Sequence, residues 1–349
     1  MRRVLSSPRT SFWCAWSLAV LVLAAPAAAL TPPVAAAAPD EDNRASLLQR
    51  ASDAVIGVET RAVQGARSAE TLGPQRSGSG IVVGPEGLVL TIGYLILEAD
   101  AVDLVLDDHR RVPARPVAYD LATGFGLVKP LLPLPVAPVP LGSASTVQIE
   151  EPLMVASGGE QGAISMARLQ SRRAYAGYWE YHIEGALFTA PARGDHSGAG
   201  LFNGRGELVG VGSLYVPDVG GKGERLPGNM FVPVDLLKPI FAELRERGSS
   251  KASTRPWLGV NCAEAGGAIH IIRVTRDSPA EEAGLLPGDE ISSVDGTEVR
   301  DLETFYKTLW KRSDAEGEIR LEIHRGTNAQ TLTVRSIDRM KSLVQPGGI

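Results

Sequence analysis

The stretch Gly78-Ser79-Gly80-Ile81-Val82-Val83-Gly84-Pro85-Glu86-Gly87-Leu88-Val89-Leu90-Thr91, continuing into Ile92-Gly93-Tyr94-Leu95-Ile96, decides how this chain is read. Two short β-branched and leucine-rich runs flank a Gly-Pro-x-Gly turn, the signature of a strand, a tight turn and a returning strand. Similar runs recur at Val102 to Leu106, Gly126 to Val128, Leu153 to Ala156 and Leu208 to Val211, between Gly, Pro and Asp turns. Many short strands at this spacing predict a barrel or sandwich.

The ends of this β-rich region are helical. Ala45, Leu47, Leu48, Ala51 and Val55 recur at helical spacing after a capping Asn43, and Leu236, Leu237, Ile240, Phe241 and Leu244 form a second stripe within Val234 to Arg247. Gly248 to Ser253 then breaks the pattern and marks the clearest domain boundary. Beyond it, strands alternate with helical segments at Pro279 to Ala283 and Leu302 to Lys311, an α/β module of different character.

Composition narrows the function classes. The 349 residues exceed one average domain, and a 44% hydrophobic content allows two packed cores. A net charge of −5 without Lys/Arg runs gives no footprint for nucleic acid. Arg2, Arg3 and Arg9 precede an apolar run from Phe12 to Leu23 and a small-residue tract Ala24 to Ala29, which reads as an export signal cleaved near Ala29. If retained, the same run would anchor the chain in a membrane. The expected product is periplasmic or secreted, with an Ala/Pro-rich tether to Asp42. Of the two cysteines, Cys14 lies in the signal, so Cys262 would remain without an internal disulfide partner.

From Gly78 onward the motifs resemble the HtrA (DegP-like) trypsin-fold proteases. In that family the strand-turn-strand unit runs into Thr-Asn-Asn-His-Val-Val, which delivers the general base; here Thr91-Ile92-Gly93-Tyr94-Leu95-Ile96 puts Tyr94 at the histidine position. Asp120-Leu121-Ala122-Thr123-Gly124-Phe125-Gly126-Leu127-Val128-Lys129 is similar to the family's Asp-x-x-Thr-Asp-Leu-Ala-x-x-Lys, with Gly124 at the position of the orienting aspartate. Gly194-Asp195-His196-Ser197-Gly198-Ala199-Gly200-Leu201 resembles the nucleophile loop and keeps Ser197. Gly206 to Val211 and Met230 to Val234 match the closing strands. The resemblance implies a mainly β chain, a trypsin-like double β-barrel over 43–248, a linker at 249–254 and a small α/β PDZ domain over 255–340, with 341–349 as a tail.

The PDZ resemblance rests on Arg255 to Val260 and on Val274 to Ile291, the latter containing Ser278-Pro279-Ala280 and Gly284-Leu285-Leu286-Pro287-Gly288-Asp289. Ser278 is expected to cap a short helix, and Asp295-Gly296 to make a hairpin turn. By resemblance, Leu258, Gly259 and Val260 form the loop that captures a peptide carboxylate, Asn261 to Ala263 the receiving edge, and the helix with Leu302, Phe305, Tyr306 and Leu309 one wall. Phe305 and Leu309 are the groove residues of choice, although the same spacing suits any core-facing helix.

A serine hydroxyl is a weak nucleophile until an imidazole takes its proton, and that imidazole needs a carboxylate to orient it. A phenol with a pKa of ~10 is protonated at neutral pH and offers no base, and Gly124 has no side chain. Asp195 stands where the family's oxyanion loop has glycine, bringing a carboxylate expected to repel an oxyanion, and Ala199 replaces a second glycine. The implied function is a proteolytically inactive scaffold, chaperone or regulator binding peptides or unfolded segments, most naturally C-termini. The alternative is a divergent endopeptidase using Ser197 with His196 as base, although neighbours on a tight loop usually project apart. The resemblance also implies a homotrimer or a mixed assembly with active relatives. His109 sits in a hairpin tip, and His182, His270 and His324 lie singly in β-like runs, so no metal or cofactor site is expected.

Overall fold

The strands of the first barrel are written in the burial of their residues: Ile81, Val82, Val83 and then Leu88, Val89 and Leu90 are all buried, as befits strands packed on both faces. The computed structural model of the protein describes residues 41–344 apart from 85, 222 and 313; the expected signal and most of the tether lie outside them. Helix α1 (Glu41–Asp53) opens the described chain with Glu41 and Asp42 in its first turn, where the helix dipole favours negative charge.

The first barrel comprises β1 (Val55–Ala62), β2 (Gln75–Val83), β3 (Leu88–Ile92), β4 (Ala99–Val105), β5 (Arg111–Tyr119) and β6 (Phe125–Pro130). They run β1-β2-β3-β6-β5-β4 and close through the pairing of β4 with β1. A short helix α2 (Ala69–Leu72) precedes β2, and α3 (Gly93–Ile96) is a single turn after β3. The second barrel comprises β7 (Pro152–Ala156), β8 (Ile164–Gly177), β9 (Tyr181–Ala190), β10 (Gly200–Phe202), β11 (Leu208–Val216) and β12 (Gly228–Pro233), in the order β10-β11-β12-β9-β8-β7, with β7 paired to β10. Closure leaves neither barrel an exposed edge. The helical stripe expected across 234–247 is interrupted: a 3-10 turn at Val234–Leu236 precedes helix α4 (Phe241–Arg247), which Gly248 ends in the left-handed region.

The boundary at 249–254 is a pinned segment. Ser250 and Ser253 are buried, and the buried Asp120 of the first barrel accepts hydrogen bonds from Ser250 N (3.1 Å) and Ser253 Oγ (2.6 Å). Beyond it come β13 (Pro256–Trp257), β14 (Val260–Ala265), β15 (Ala268–Val274), α5 (Pro279–Glu282), β16 (Glu290–Val294), β17 (Thr297–Glu298), α6 (Leu302–Leu309), β18 (Gly317–Arg325) and β19 (Asn328–Asp338). Ser278 caps α5 through the Glu281 amide at 3.3 Å, as expected. Asp295 and Gly296, at φ 48° and 78°, make the two-residue turn that pairs Val294 with Thr297. Leu258, Val260, Ile269, Phe305, Tyr306 and Leu309 are part of a core separate from those of the barrels.

Candidate functional site

Ser197 sits in a loop clamped between the barrels. Its carbonyl accepts from Ser79 N (2.8 Å), and Gly198 N donates to Gly212 O (2.9 Å). Gly198 has φ 74°, and a Cβ there would collide with the Ser79 carbonyl, so glycine is required. Ala199, where the family has a second glycine, is fully buried among Leu153, Leu201 and Val209. That replacement fills core space.

The single turn α3 buries Leu95 and Ile96 in the first barrel and thereby carries Tyr94 into the cleft. Tyr94 Oη lies 2.8 Å from Ser197 Oγ and 2.9 Å from the carbonyl oxygen of Ser213. A carbonyl only accepts, so the phenol proton goes to Ser213, and the serine hydroxyl donates to the phenol oxygen. Loss of water around the ring pushes the Tyr94 pKa up to about 12, against the opposing pull of the Ser197 hydrogen bond. At neutral pH the group nearest the serine is therefore a neutral phenol.

Behind Tyr94, Gly124 adopts φ 78°, and a Cβ on it would lie 3.0 Å from Tyr181 Oη. Tyr181 occupies the space an orienting carboxylate would need. Its hydroxyl is buried beside the Ser213 side chain.

Asp195, whose carboxylate is expected to repel a nearby oxyanion, is paired in the structure. The carboxylate accepts from Arg193 Nε at 2.9 Å, from Arg193 Nη2 and from Ser157 Oγ. Burial pushes its pKa up, but the Arg193 and Ser157 hydrogen bonds more than offset this and hold it below the ordinary aspartate range. Arg193 is fixed in turn by the Ala163 carbonyl at 3.0 Å and by Ser165 Oγ. His196 places Nδ1 2.9 Å from the Arg193 carbonyl, so Nδ1 carries the proton; its hydrogen bond runs to that carbonyl, whereas Ser197 pairs with Tyr94. Ser157, Ser213 and Tyr181 were not signalled by sequence, because their contacts join segments far apart in the chain, and Arg193, two residues from Asp195, belongs to no motif.

In the PDZ-like part, Gly259 has φ 87° and no room for a Cβ beside Ser278 and Trp257. The amides of Leu258 (3.2 Å), Gly259 (2.8 Å) and Val260 (3.0 Å) converge on the carboxylate of Glu180, which lies between β8 and β9. Burial pushes the Glu180 pKa up, opposed by Arg339 and by these amides. The receiving edge donates from Cys262 N to Tyr178 O (2.8 Å), and on the helix side Tyr306 Oη donates to Gly177 O (2.7 Å) and accepts from Glu180 N (3.1 Å). Phe305 and Leu309 lie beneath, fully buried.

Two of the remaining histidines differ in setting. His109 lies at φ 63° in an exposed hairpin tip. His182, expected to pack alone, lies with Glu184 and Glu303 in the one cluster of potential metal ligands among the described residues. Its buried Nε2 lies 3.8 Å from Glu303 and 4.0 Å from Glu184, with no hydrogen-bond partner among the described residues, and Lys307 Nζ bridges the two carboxylates at 2.6 Å each. The ammonium already occupies the seat between them.

Comparisons with known proteins agree with this architecture. Residues 78–211 match the model of the trypsin-like peptidase domain and residues 256–335 that of the PDZ domain. The described chain is thus a trypsin-like double barrel followed by one PDZ domain. Its homologues are of the HtrA/DegP kind. It is 29% identical over 242 residues to a probable periplasmic DegP-like serine endoprotease of Hahella chejuensis, covering 64% of this chain and 49% of that protein. It is 27% identical over 290 residues to the putative serine protease HhoA of Synechocystis, covering 74% and 70%. Thus the chain spans about half the length of the DegP-like relative. The solved HtrA-type protease AlgW with decapeptide superposes with a TM-score of 0.52 at 22% identity, covering 84% of this chain and 98% of that one. Among the described residues no helix is long and apolar enough to cross a membrane.

Proposed function

We propose that this chain is an HtrA-like envelope protein that does not cleave peptides and instead binds peptide segments through its PDZ domain, as a scaffold, chaperone or regulator. One observation carries the reading: the only hydrogen-bond partner of the Ser197 hydroxyl among the described residues is the phenol of Tyr94, whose own proton is committed to Ser213. A neutral phenol cannot take up the serine proton, and the position that would orient a base is Gly124 backed by Tyr181. Removal of triad members leaves activity on the order of a million-fold below that of an intact enzyme. The envelope location is supported by the N-terminal apolar segment and by the periplasmic relatives.

The test is casein and peptide hydrolysis by the purified protein beside Ser197→Ala. Indistinguishable background rates are expected, together with no labelling of Ser197 by a fluorophosphonate. Serine-dependent turnover would overturn the reading in favour of a divergent endopeptidase. Mixed assembly with active relatives is checked separately, by co-purification.

A further inference from the structure

The amide loop of the PDZ domain already holds a carboxylate, and that carboxylate belongs to the same chain. PDZ modules take an extended peptide as an added strand, with loop amides capturing its terminal carboxylate. Each element of that complex is present. The amides of Leu258, Gly259 and Val260 donate to the two oxygens of Glu180, the bonds a peptide terminus would receive. The bond from Cys262 N to Tyr178 O occupies a backbone donor on the free edge of β14, where an added peptide strand would pair. On the opposite side, Tyr306 of α6 ties down both Gly177 and Glu180. Residues 177–180 therefore fill the space between β14 and α6.

The delivery of this carboxylate is also visible in the backbone. Glu180 adopts φ 57°, a conformation that strains a non-glycine residue and persists only where the surroundings enforce it. Glycine would serve a plain turn better; the side chain is what the groove uses.

We infer that Glu180 is an internal ligand of the PDZ domain: the tip of the β8–β9 hairpin closes the groove, and an external peptide binds only by displacing it. The identity of the external ligand rests on the peptide-binding function proposed above, while the closure does not. The chemistry of the seat also narrows that ligand. A segment with no carboxylate at that point leaves the three amides unpaired, whereas a free C-terminus replaces the Glu180 oxygens bond for bond. Because the open form alone binds, the apparent dissociation constant is the intrinsic one divided by the open fraction. Removal of the internal carboxylate must therefore tighten external binding.

The experiment uses the full chain and a fluorescently labelled decapeptide pool, randomised except for a C-terminal Val, in free-carboxylate and amidated forms. Glu180→Ala is expected to bind the free-carboxylate pool about tenfold more tightly than the parent or better, the fold-change set by the open fraction. The amidated pool should remain weak throughout. In parallel, hydrogen exchange across Leu258 to Val260 should be slow in the parent and fast in Glu180→Ala. Equal affinity and equal exchange in the two proteins would overturn the proposal. If neither binds peptide, the peptide-binding function fails and exchange alone decides: lost protection upholds the internal ligand, unchanged protection removes it. Glu180→Gln, which keeps the volume and one carbonyl acceptor, repeats both measurements should the alanine variant not fold, with a smaller shift in the same direction.

Discussion

The cleft at Ser197 and the groove beside Val260 are both filled from within, but by fillers of different permanence. Tyr94 is carried by a turn whose neighbours Leu95 and Ile96 are buried in the first barrel, so it cannot leave without unpacking that core. Glu180 is carried by a hairpin tip whose neighbour Tyr178 is exposed, and its bonds run almost wholly to groups that a peptide terminus could take over. On the function proposed above, the absence of a base is tied to the packing of the fold. Closure of the groove is an equilibrium.

The two regions are joined through Asp120, and the largest expected effect lies there. Its buried carboxylate accepts from Ser250 N, Ser253 Oγ, Thr123 N and Thr123 Oγ1, tying the first barrel to the segment that enters the PDZ domain. Asp120→Ala strands several buried donors and should cost about 4 kcal/mol in urea unfolding. Burial pushes the Asp120 pKa up, and the hydrogen bonds from Ser250, Ser253 and Thr123 overcome this and hold it below the ordinary value. A depressed folded pKa means that the stabilisation is fully present above the unfolded pKa of ~3.9 and is lost as pH falls through the lower folded value. Stability curves of the parent should therefore drop below about pH 4, with Asp120→Asn flatter over that window. Slow exchange at Gly259 in Asp120→Ala would show that the hairpin closes the groove unaided.

A second test tries to reopen the serine site. Tyr94→His combined with Gly124→Asp restores both residue types, yet hydrolysis should stay at the Ser197→Ala background. A side chain at φ 78° with its Cβ 3.0 Å from Tyr181 Oη cannot reach an orienting position without strain. The pair should also lose about 2 kcal/mol of stability, read by urea titration. Serine-dependent cleavage by this variant would break the comparison, since the cleft would then be merely vacant.

Sequence showed the parts whose chemistry is local. The turns at Gly84 to Gly87 and at Asp295-Gly296, the capped start of α5 and the tight Ser197 loop depend on residues within a few positions, so their motifs carried the fold. Tyr94 and Gly124 were legible because a preceding strand fixes their register. The long hairpin of β8 and β9 was not, since Ile164 to Gly177 mixes buried and exposed residues without clean alternation. The Glu180 clasp spans some 80 residues of sequence, and the clamp on Asp195 brings the loop after β7, with Ser157, to the loop of Arg193 and Asp195. No periodicity encodes such contacts, so neither the pairing of Asp195 nor the Glu180 carboxylate at the PDZ amide loop could be foreseen.

The smallest effect tests the proton assignment at the serine. Tyr94→Phe keeps the ring and its packing and removes only the hydroxyl shared by Ser197 and Ser213. The Ser213 carbonyl then loses its donor, while the Ser197 hydroxyl can turn elsewhere, so the cost should be about 1 kcal/mol in urea unfolding at pH 7. Hydrolysis and fluorophosphonate labelling should remain at background, since the phenol was never a base. The phenol pKa is raised to about 12, so the stability tied to its protonated form is complete below the unfolded value of ~10 and declines as pH rises through the folded one. The advantage of the parent over Tyr94→Phe should therefore hold from neutral pH to about 10 and shrink above it. An advantage that instead grew with pH would mean that Tyr94 is more easily ionised in the folded cleft, and a phenolate beside Ser197 would be a base after all.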